Sequence, residues 1–273
     1  MNMKHALALL LLPLLIASGA RAQIYIIGDL SHDRDARPGE NYDGTITVKN
    51  DSDEPQEAKV YQTDYTFSYD GTNSYGDPGT VRRSNARWIS FSPSRALIPP
   101  RGNATITYSV NVPPSDSGKA LGGSYWSMLM IEGIARGSAE SSFGKRDSTK
   151  HLGLLQTIRY GLQIATHIAG TGTRAVRFIE AKLVTKEDGN RYLQVDIENS
   201  GDLWIRPEVS VEFFDGKGVS RGKIPGTRYR MYPGTSVRQM IDLKTIPPGT
   251  YKALVVVDAS GDDVFGAQYS LQL

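Results

Sequence analysis

Thr45-Ile46-Thr47-Val48-Lys49-Asn50-Asp51-Ser52 is echoed further along the chain by Gln194-Val195-Asp196-Ile197-Glu198-Asn199-Ser200-Gly201. Both octets alternate apolar and polar side chains, the period of a strand with one face in a core. Both place an asparagine just before turn-forming residues. The echo continues downstream. Ile98-Pro99-Pro100-Arg101-Gly102, an alternating strand, Val112-Pro113-Pro114 and Gly123-Ser124-Tyr125 recur in order as Met231-Tyr232-Pro233-Gly234, an alternating strand, Ile246-Pro247-Pro248 and Gly249-Thr250-Tyr251. Each copy closes on an apolar strand, Trp126–Ile131 or Lys252–Val257. Self-similarity over such a span means one structural unit used twice.

Further alternating runs, Ala58–Tyr69 and Glu208–Phe214 among them, are separated by the turn dipeptides Asp70-Gly71, Asp188-Gly189 and Asp215-Gly216. The expectation is an all-β chain of two tandem immunoglobulin-like β-sandwich domains, 23–170 and 171–273, joined at Ala169-Gly170-Thr171-Gly172. An outer-membrane barrel also alternates, and the Phe265–Leu273 run looks like a barrel terminus. The Pro-Pro corners interrupt the long antiparallel succession a barrel needs.

Residues 1–22 read as a cleaved signal peptide: Lys4, an apolar run from Ala6 to Ala17, and the Ala20-Arg21-Ala22 cleavage pattern. Its removal takes Lys4 and Arg21 from 31 basic residues and leaves them equal to the 29 acidic ones. A formally neutral chain lacks the basic face that nucleic acid requires. No later run is long and apolar enough to span a bilayer as a helix. With no cysteine, an apolar core must hold an exported fold without disulfides. A periplasmic or cell-surface location follows.

The first half resembles the N-terminal domain of periplasmic pilus-chaperone-like proteins. The resemblance rests on a first strand Ile24–Ile27, the Asn-ended strand Thr45–Asn50, the amphipathic Ala58–Tyr69, Trp88-Ile89-Ser90-Phe91-Ser92-Pro93, the Leu97–Gly102 turn, the strands Thr105–Val112 and Tyr125–Glu132, a long polar loop, and His151–Ile168. It implies two immunoglobulin-like domains in an L, and a last strand of the first domain that lends apolar side chains to a pilin-like subunit by strand addition. Leu152, Leu154, Ile158, Tyr160, Leu162 and Ile164 share one face of that strand. Leu152, Leu154, Ile158 and Arg159 are therefore the expected partner-binding residues, with Arg136–Lys150 expected to be a mobile loop. The family holds the subunit's C-terminal carboxylate with a basic residue on the first strand and another on the last. Here the first strand has neither Arg nor Lys, and Arg159 lies near the second position.

Other residue groups carry less. The aromatic alternation of Tyr61, Tyr65, Phe67 and Tyr69 reads as a core face, or as a glycan platform if it lies outside. Asp258, Asp262 and Asp263 around Ser260-Gly261 read as a turn, with calcium as the alternative. No metal site or cofactor is expected. The mature chain has His32, His151 and His167, and no nucleophile elbow, zinc motif or phosphate loop; Ser142-Phe143-Gly144-Lys145 matches Ser-x-x-Lys at chance frequency. An exported module that binds a partner protein is expected rather than an enzyme. A structural or adhesive surface protein with sandwich spacers is the alternative.

Overall fold

The computed structural model describes residues 24–143 and 157–273; residues 1–22, read as the signal, lie outside them. Strands dominate. Residues 24–168 form two sheets. One holds β1 (Ile24–Ile27), β3 (Asn41–Asn50), β8 (Asn103–Asn111) and β6 (Ile89–Ser92), in that order. The other runs β2 (Ser31–Ala36), β10 (Arg159–Ile168), β9 (Gly123–Ile134), β4 (Gln56–Phe67), β5 (Asn73–Gly76), with β7 (Arg95–Ile98) also on β4. Residues 176–272 form a second pair: β11 (Val176–Thr185), β12 (Arg191–Asn199) and β15 (Ser236–Asp242) face β14 (Ser220–Pro225), β13 (Glu208–Phe214), β16 (Thr250–Asp258) and β17 (Val264–Gln272). The chain is all-β, two immunoglobulin-like sandwiches in tandem, and no described helix is long and apolar enough to cross a membrane.

Period-2 alternation fills both cores. Ile46, Val48, Ile106, Val110, Leu129 and Ile131 close the first, and Leu193, Val195, Ile197, Val211, Phe213 and Val255 close the second, all at most 1% exposed. Burying each such side chain contributes roughly 1.5–3 kcal/mol.

The repeated asparagine has the same task in both copies. Asn50 is fully buried; its amide donates to the carbonyls of Glu54 (2.7 Å), Ile98 (3.2 Å) and Pro99 (3.0 Å). Asn199, equally buried, donates to Leu203 (2.7 Å) and Met231 (3.0 Å). In each, the Oδ1 accepts a backbone N–H two residues on, from Ser52 or Gly201. Each asparagine thus satisfies carbonyls that a turn would otherwise leave unpaired.

The aromatic alternation of β4 is placed otherwise than expected. Ala58 and Val60 enter the core, so Tyr61 and Tyr65 lie on the opposite face. There Tyr61 stands beside Met130 of β9, and Tyr65 beside Tyr75 of β5, ring centroids 5.1 Å apart. The small and β-branched residues fit between the sheets. The tyrosines keep their hydroxyls on polar partners, Glu132 and Asn73.

The two sandwiches meet at an elbow with its own small core. Trp126 of β9 stacks on Tyr232 (4.6 Å, 13°), with Ala165, Phe67 and Trp204 around them. Gly123 has φ 72°, and a Cβ there would lie 2.1 Å from the Asp202 carbonyl oxygen, so this approach requires glycine. Ser124 N–H donates to that carbonyl at 2.8 Å.

Candidate functional site

The edge of the first domain opens where β2 stops covering β10. β2 runs parallel to β10, pairing Ser31 with Gln163 through to Ala36 with Ile168. The Leu30 carbonyl accepts the Gln163 N–H at 2.8 Å. Before that point Arg159, Tyr160, Gly161 and Leu162 pair with β9 alone among the described residues. The Ile158 carbonyl accepts the Gly133 N–H (3.0 Å) on the β9 side. Strand periodicity therefore turns the backbone N–H and C=O of Arg159 and Gly161 to the open side, as Gln163 turns its own to β2. Such a row of backbone groups, unpaired among the described residues, is a template for another strand.

Side chains of β10 divide by face. Leu162 and Ile164 are fully buried in the domain's own core. Tyr160 packs against that core, and its hydroxyl donates to the Ile24 carbonyl of β1 at 3.0 Å, tying the two sheets together at the mouth. Ile158 is half-buried. Of the shared apolar face expected from the sequence, the C-terminal half thus belongs to the core. Leu152 and Leu154 lie outside the described residues.

Arg159 points to the other face and is already engaged. Its Nε donates to Glu132 at 2.7 Å, where the Tyr61 hydroxyl also donates (2.8 Å) and Lys59 lies 3.5 Å away. Burial alone would raise the Glu132 pKa; the bonds from Arg159 and Tyr61 outweigh it and hold the carboxyl below its ordinary value.

The start of the polar loop, expected to be mobile, is pinned over Arg136–Phe143. Glu57, 3% exposed, accepts from Ser141 Oγ (2.8 Å), Ser142 N (3.0 Å) and Ser142 Oγ. Lys59 pairs with Glu140 at 2.9 Å, Arg136 pairs with Glu54, and the Arg136 guanidinium lies 5.0 Å over the Phe143 ring. Glycine and serine content suggested freedom; a buried carboxylate needing donors supplies the tether.

Beside the open edge lies a cleft of about 660 Å³ at the elbow. Asp29, Leu30, Ser31, Met128, Gly161 and Gln163 line its first-domain side, and Arg206, Arg228, Tyr229 and Arg230 its second-domain side. Arg230 donates bidentately to Asp33 of β2, from Nη1 to Oδ1 at 3.0 Å and from Nη2 to Oδ2 at 2.9 Å, and lies 4.1 Å over Trp204. Burial pushes the Asp33 carboxyl up, but His167 and Arg230 outweigh it and hold it below its ordinary value.

His167 completes a chain of bonds across the elbow. Its Nε2 lies 3.2 Å from Asp33 and its Nδ1 2.9 Å from Ser124 Oγ, which also accepts the Trp204 N–H at 2.9 Å. These are the residue types of a hydrolytic triad. Here Ser124 is fully buried and bonded to Trp204 of the second domain, so these bonds fasten the two domains together.

At the Asp258–Asp263 turn, Asp258 accepts the Ser260 N–H (2.9 Å) and Asp263 pairs with Arg174 (3.0 Å). Among the described residues no three His, Asp or Glu side chains converge as a metal site requires.

No family model and no curated protein matches the sequence. Solved structures do match in fold. A chaperone–tip adhesin complex of CFA/I fimbriae biogenesis is 14% identical, covering 91% of this chain and 98% of that one, with a TM-score of 0.47. The CsuC–CsuE chaperone–tip adhesion subunit pre-assembly complex from archaic chaperone-usher Csu pili of Acinetobacter baumannii is 13% identical, covering 90% and 98%, at 0.45. The SafA pilin in complex with the SafB chaperone of Salmonella enterica is 11% identical, covering 91% and 96%, at 0.43. The chain is similar to pilus chaperones.

Sequence reasoning missed the cleft's second-domain wall. Its one signal is Arg228-Tyr229-Arg230, two cations in strand alternation beside the Met231-Tyr232-Pro233-Gly234 turn.

Proposed function

We propose that this chain is an exported, non-enzymatic chaperone-like assembly module that captures a partner protein by adding one of its strands to the open edge of β10, as in fimbrial or surface-structure biogenesis. The carrying observation is that the Arg159 and Gly161 backbone groups face away from β9 where β2 has not yet begun. Strand addition draws affinity from such groups and specificity from alternate side chains. Leu152, Leu154, Ile158 and Arg159 are the side chains assigned to contact with the partner. The working units are 23–170, which presents the edge, and 171–273, which supplies the far wall of the cleft, after a signal of 1–22. The periplasm is the compartment of action.

The test uses a fluorescein-labelled peptide of alternating valine and threonine, read by anisotropy. Gly161→Pro removes an N–H from the open side and none from the β9 side. It should weaken binding about fivefold, the worth of one backbone hydrogen bond; a Cβ at this position lies 2.4 Å from the end of the Met128 side chain, so the melt should fall modestly and binding is compared well below it, where the variant is folded. Leu152→Asp with Leu154→Asp should abolish binding in a protein that still melts as the native one does. Undiminished binding in both variants sinks the reading.

A second reading has one observation in its favour. Tyr75 is 56% exposed beside Tyr65 on the outer face of the sheet, which suits a glycan platform. Loss of oligosaccharide binding in Tyr75→Ala, with peptide binding intact, would favour it.

A further inference from the structure

Two segments of the second domain form a ribbon along the cleft. Ile205 and Met231 exchange both backbone bonds, at 2.9 and 2.8 Å, and the Gly226 N–H donates to the Val209 carbonyl at 2.8 Å. The Ile205–Met231 pair places Arg206 next to Arg230, the Gly226–Val209 bond shifts the register by one residue, and the Arg228–Glu208 ion pair at 3.1 Å brings those two side chains together. Ile205, Val209 and Met231 are buried, while Arg206, Glu208 and Arg228 are exposed. Buried Gln239 holds the arm in place: its Oε1 accepts the Thr227 N–H and its Nε2 donates to the Thr227 carbonyl, both at 2.8 Å.

The ribbon concentrates positive charge in a molecule whose basic and acidic residues nearly balance, 31 against 29. Arg230 is committed to Asp33, and Arg228 shares Glu208 at 3.1 Å while remaining exposed. Arg206 is exposed, and no carboxylate among the described residues lies within ion-pair distance of it. Across the cleft Asp29 is the lone acid among the lining residues. By contrast, Lys59 and Arg159 near the open edge are matched by Glu140 and Glu132.

We infer that Arg206 and Arg228 bind side-chain carboxylates of the captured partner, so that the partner's added segment carries Asp or Glu where it enters the cleft. The inference rests on the strand-addition reading. Arg206 and Arg228 both line the cleft on its second-domain side. A strand continuing the line of β2 along Arg159–Leu162 ends at Leu30 and Ser31, which border the same cleft as the two arginines. The guanidinium fork suits carboxylates in particular, and charge in a cleft also speeds encounter.

The test compares two C-terminally amidated peptides, each the alternating valine–threonine sequence extended by Glu-Val-Glu or by Gln-Val-Gln. The glutamate peptide should bind on the order of tenfold more tightly at low ionic strength, with the advantage shrinking as salt is added. Arg206→Gln with Arg228→Gln should bring it down to the affinity of the glutamine peptide, and Arg206→Lys with Arg228→Lys should retain part of the advantage. Both arginines are exposed, and matching thermal melts show that the variants fold. Equal affinity of the two peptides, or a glutamate advantage that survives the double glutamine variant, overturns the inference while strand addition stands. A glutamine peptide with a free C-terminal carboxylate that matches the amidated glutamate peptide assigns the arginines to a chain terminus, and overturns it too. If neither peptide binds, the strand-addition reading falls and takes the inference with it.

Discussion

Asn50 and Asn199 show why a residue type recurs when the surrounding sequence does not. Each amide bridges the end of a strand to the turn that carries the repeated proline, and each is fully buried. Aspartate could accept the N–H two residues on but could not donate to the carbonyls. Alanine would leave those carbonyls buried and unpaired. Asn50→Ala and Asn199→Ala should therefore each destabilise by about 2–4 kcal/mol, measured by urea unfolding. A loss below 1 kcal/mol in either, on the scale of an exposed polar contact, would mean the turn repairs itself with water. Asp64 poses the same problem with a charge. It is 1% exposed and collects the N–H groups of Gly79, Thr80 and Val81 and the Ser84 hydroxyl. Asp64→Ala should unfold the 77–84 turn, seen as hydrogen exchange at those amides.

Elements were legible in the sequence to the degree that their faces differ. β3, β8, β12 and β16 alternate cleanly because one side meets a core. β2 did not announce itself: Ser31-His32-Asp33-Arg34-Asp35-Ala36 has no apolar alternation, and its backbone is held by parallel pairing to β10. That strand decides the candidate site, because its start defines where the edge of β10 opens. The face of β4 was misread for a related reason, since alternation reveals two faces without saying which one turns inward. The pinned loop escaped as well: Ser141 and Ser142 look like linker residues until Glu57 is found buried beneath them. This tether should depend on pH. Burial raises the Glu57 pKa, but the Ser142 and Ser141 hydroxyls and the Ser142 N–H outweigh it and leave it lowered from 4.5. A depressed carboxyl contributes stability above its unfolded value and loses it as pH falls through the folded one. Hydrogen exchange at Ser141–Phe143 should accordingly rise as the pH drops below 4.5, and Glu57→Gln should raise it already at neutral pH. Exchange in that variant equal to the native protein's would show that the neighbouring ion pairs suffice.

At the scale of the whole molecule the open edge is useful only if the second domain stands where the cleft requires it. The elbow combines an aromatic stack, Trp126 on Tyr232, with a charged fastening, Asp33 to Arg230, and the stack alone does not fix an angle because rings slide. The fastening adds orientation beside the Ser124–Asp202 and Ser124–Trp204 bonds: a bidentate guanidinium pair has direction as well as strength, and Asp33 is held from its own side by His167. Arg230→Gln should therefore preserve each sandwich and loosen the angle between them. Small-angle scattering should report a broader distribution of domain separations, while the melt of the first domain stays in place. Acid should do the same by another route. The Asp33 carboxyl is lowered from 3.8, so its pairing is intact above that value and is lost as the pH falls through the lowered one. The native protein in that acid range should scatter like Arg230→Gln at neutral pH, and the variant itself should show little further change. If Arg230→Gln scatters as the native protein does at neutral pH, the aromatic stack and the Ser124 bonds to Asp202 and Trp204 fix the angle without it. The cleft would then owe its shape to those contacts, leaving Arg230 free to join Arg206 and Arg228 in facing a partner.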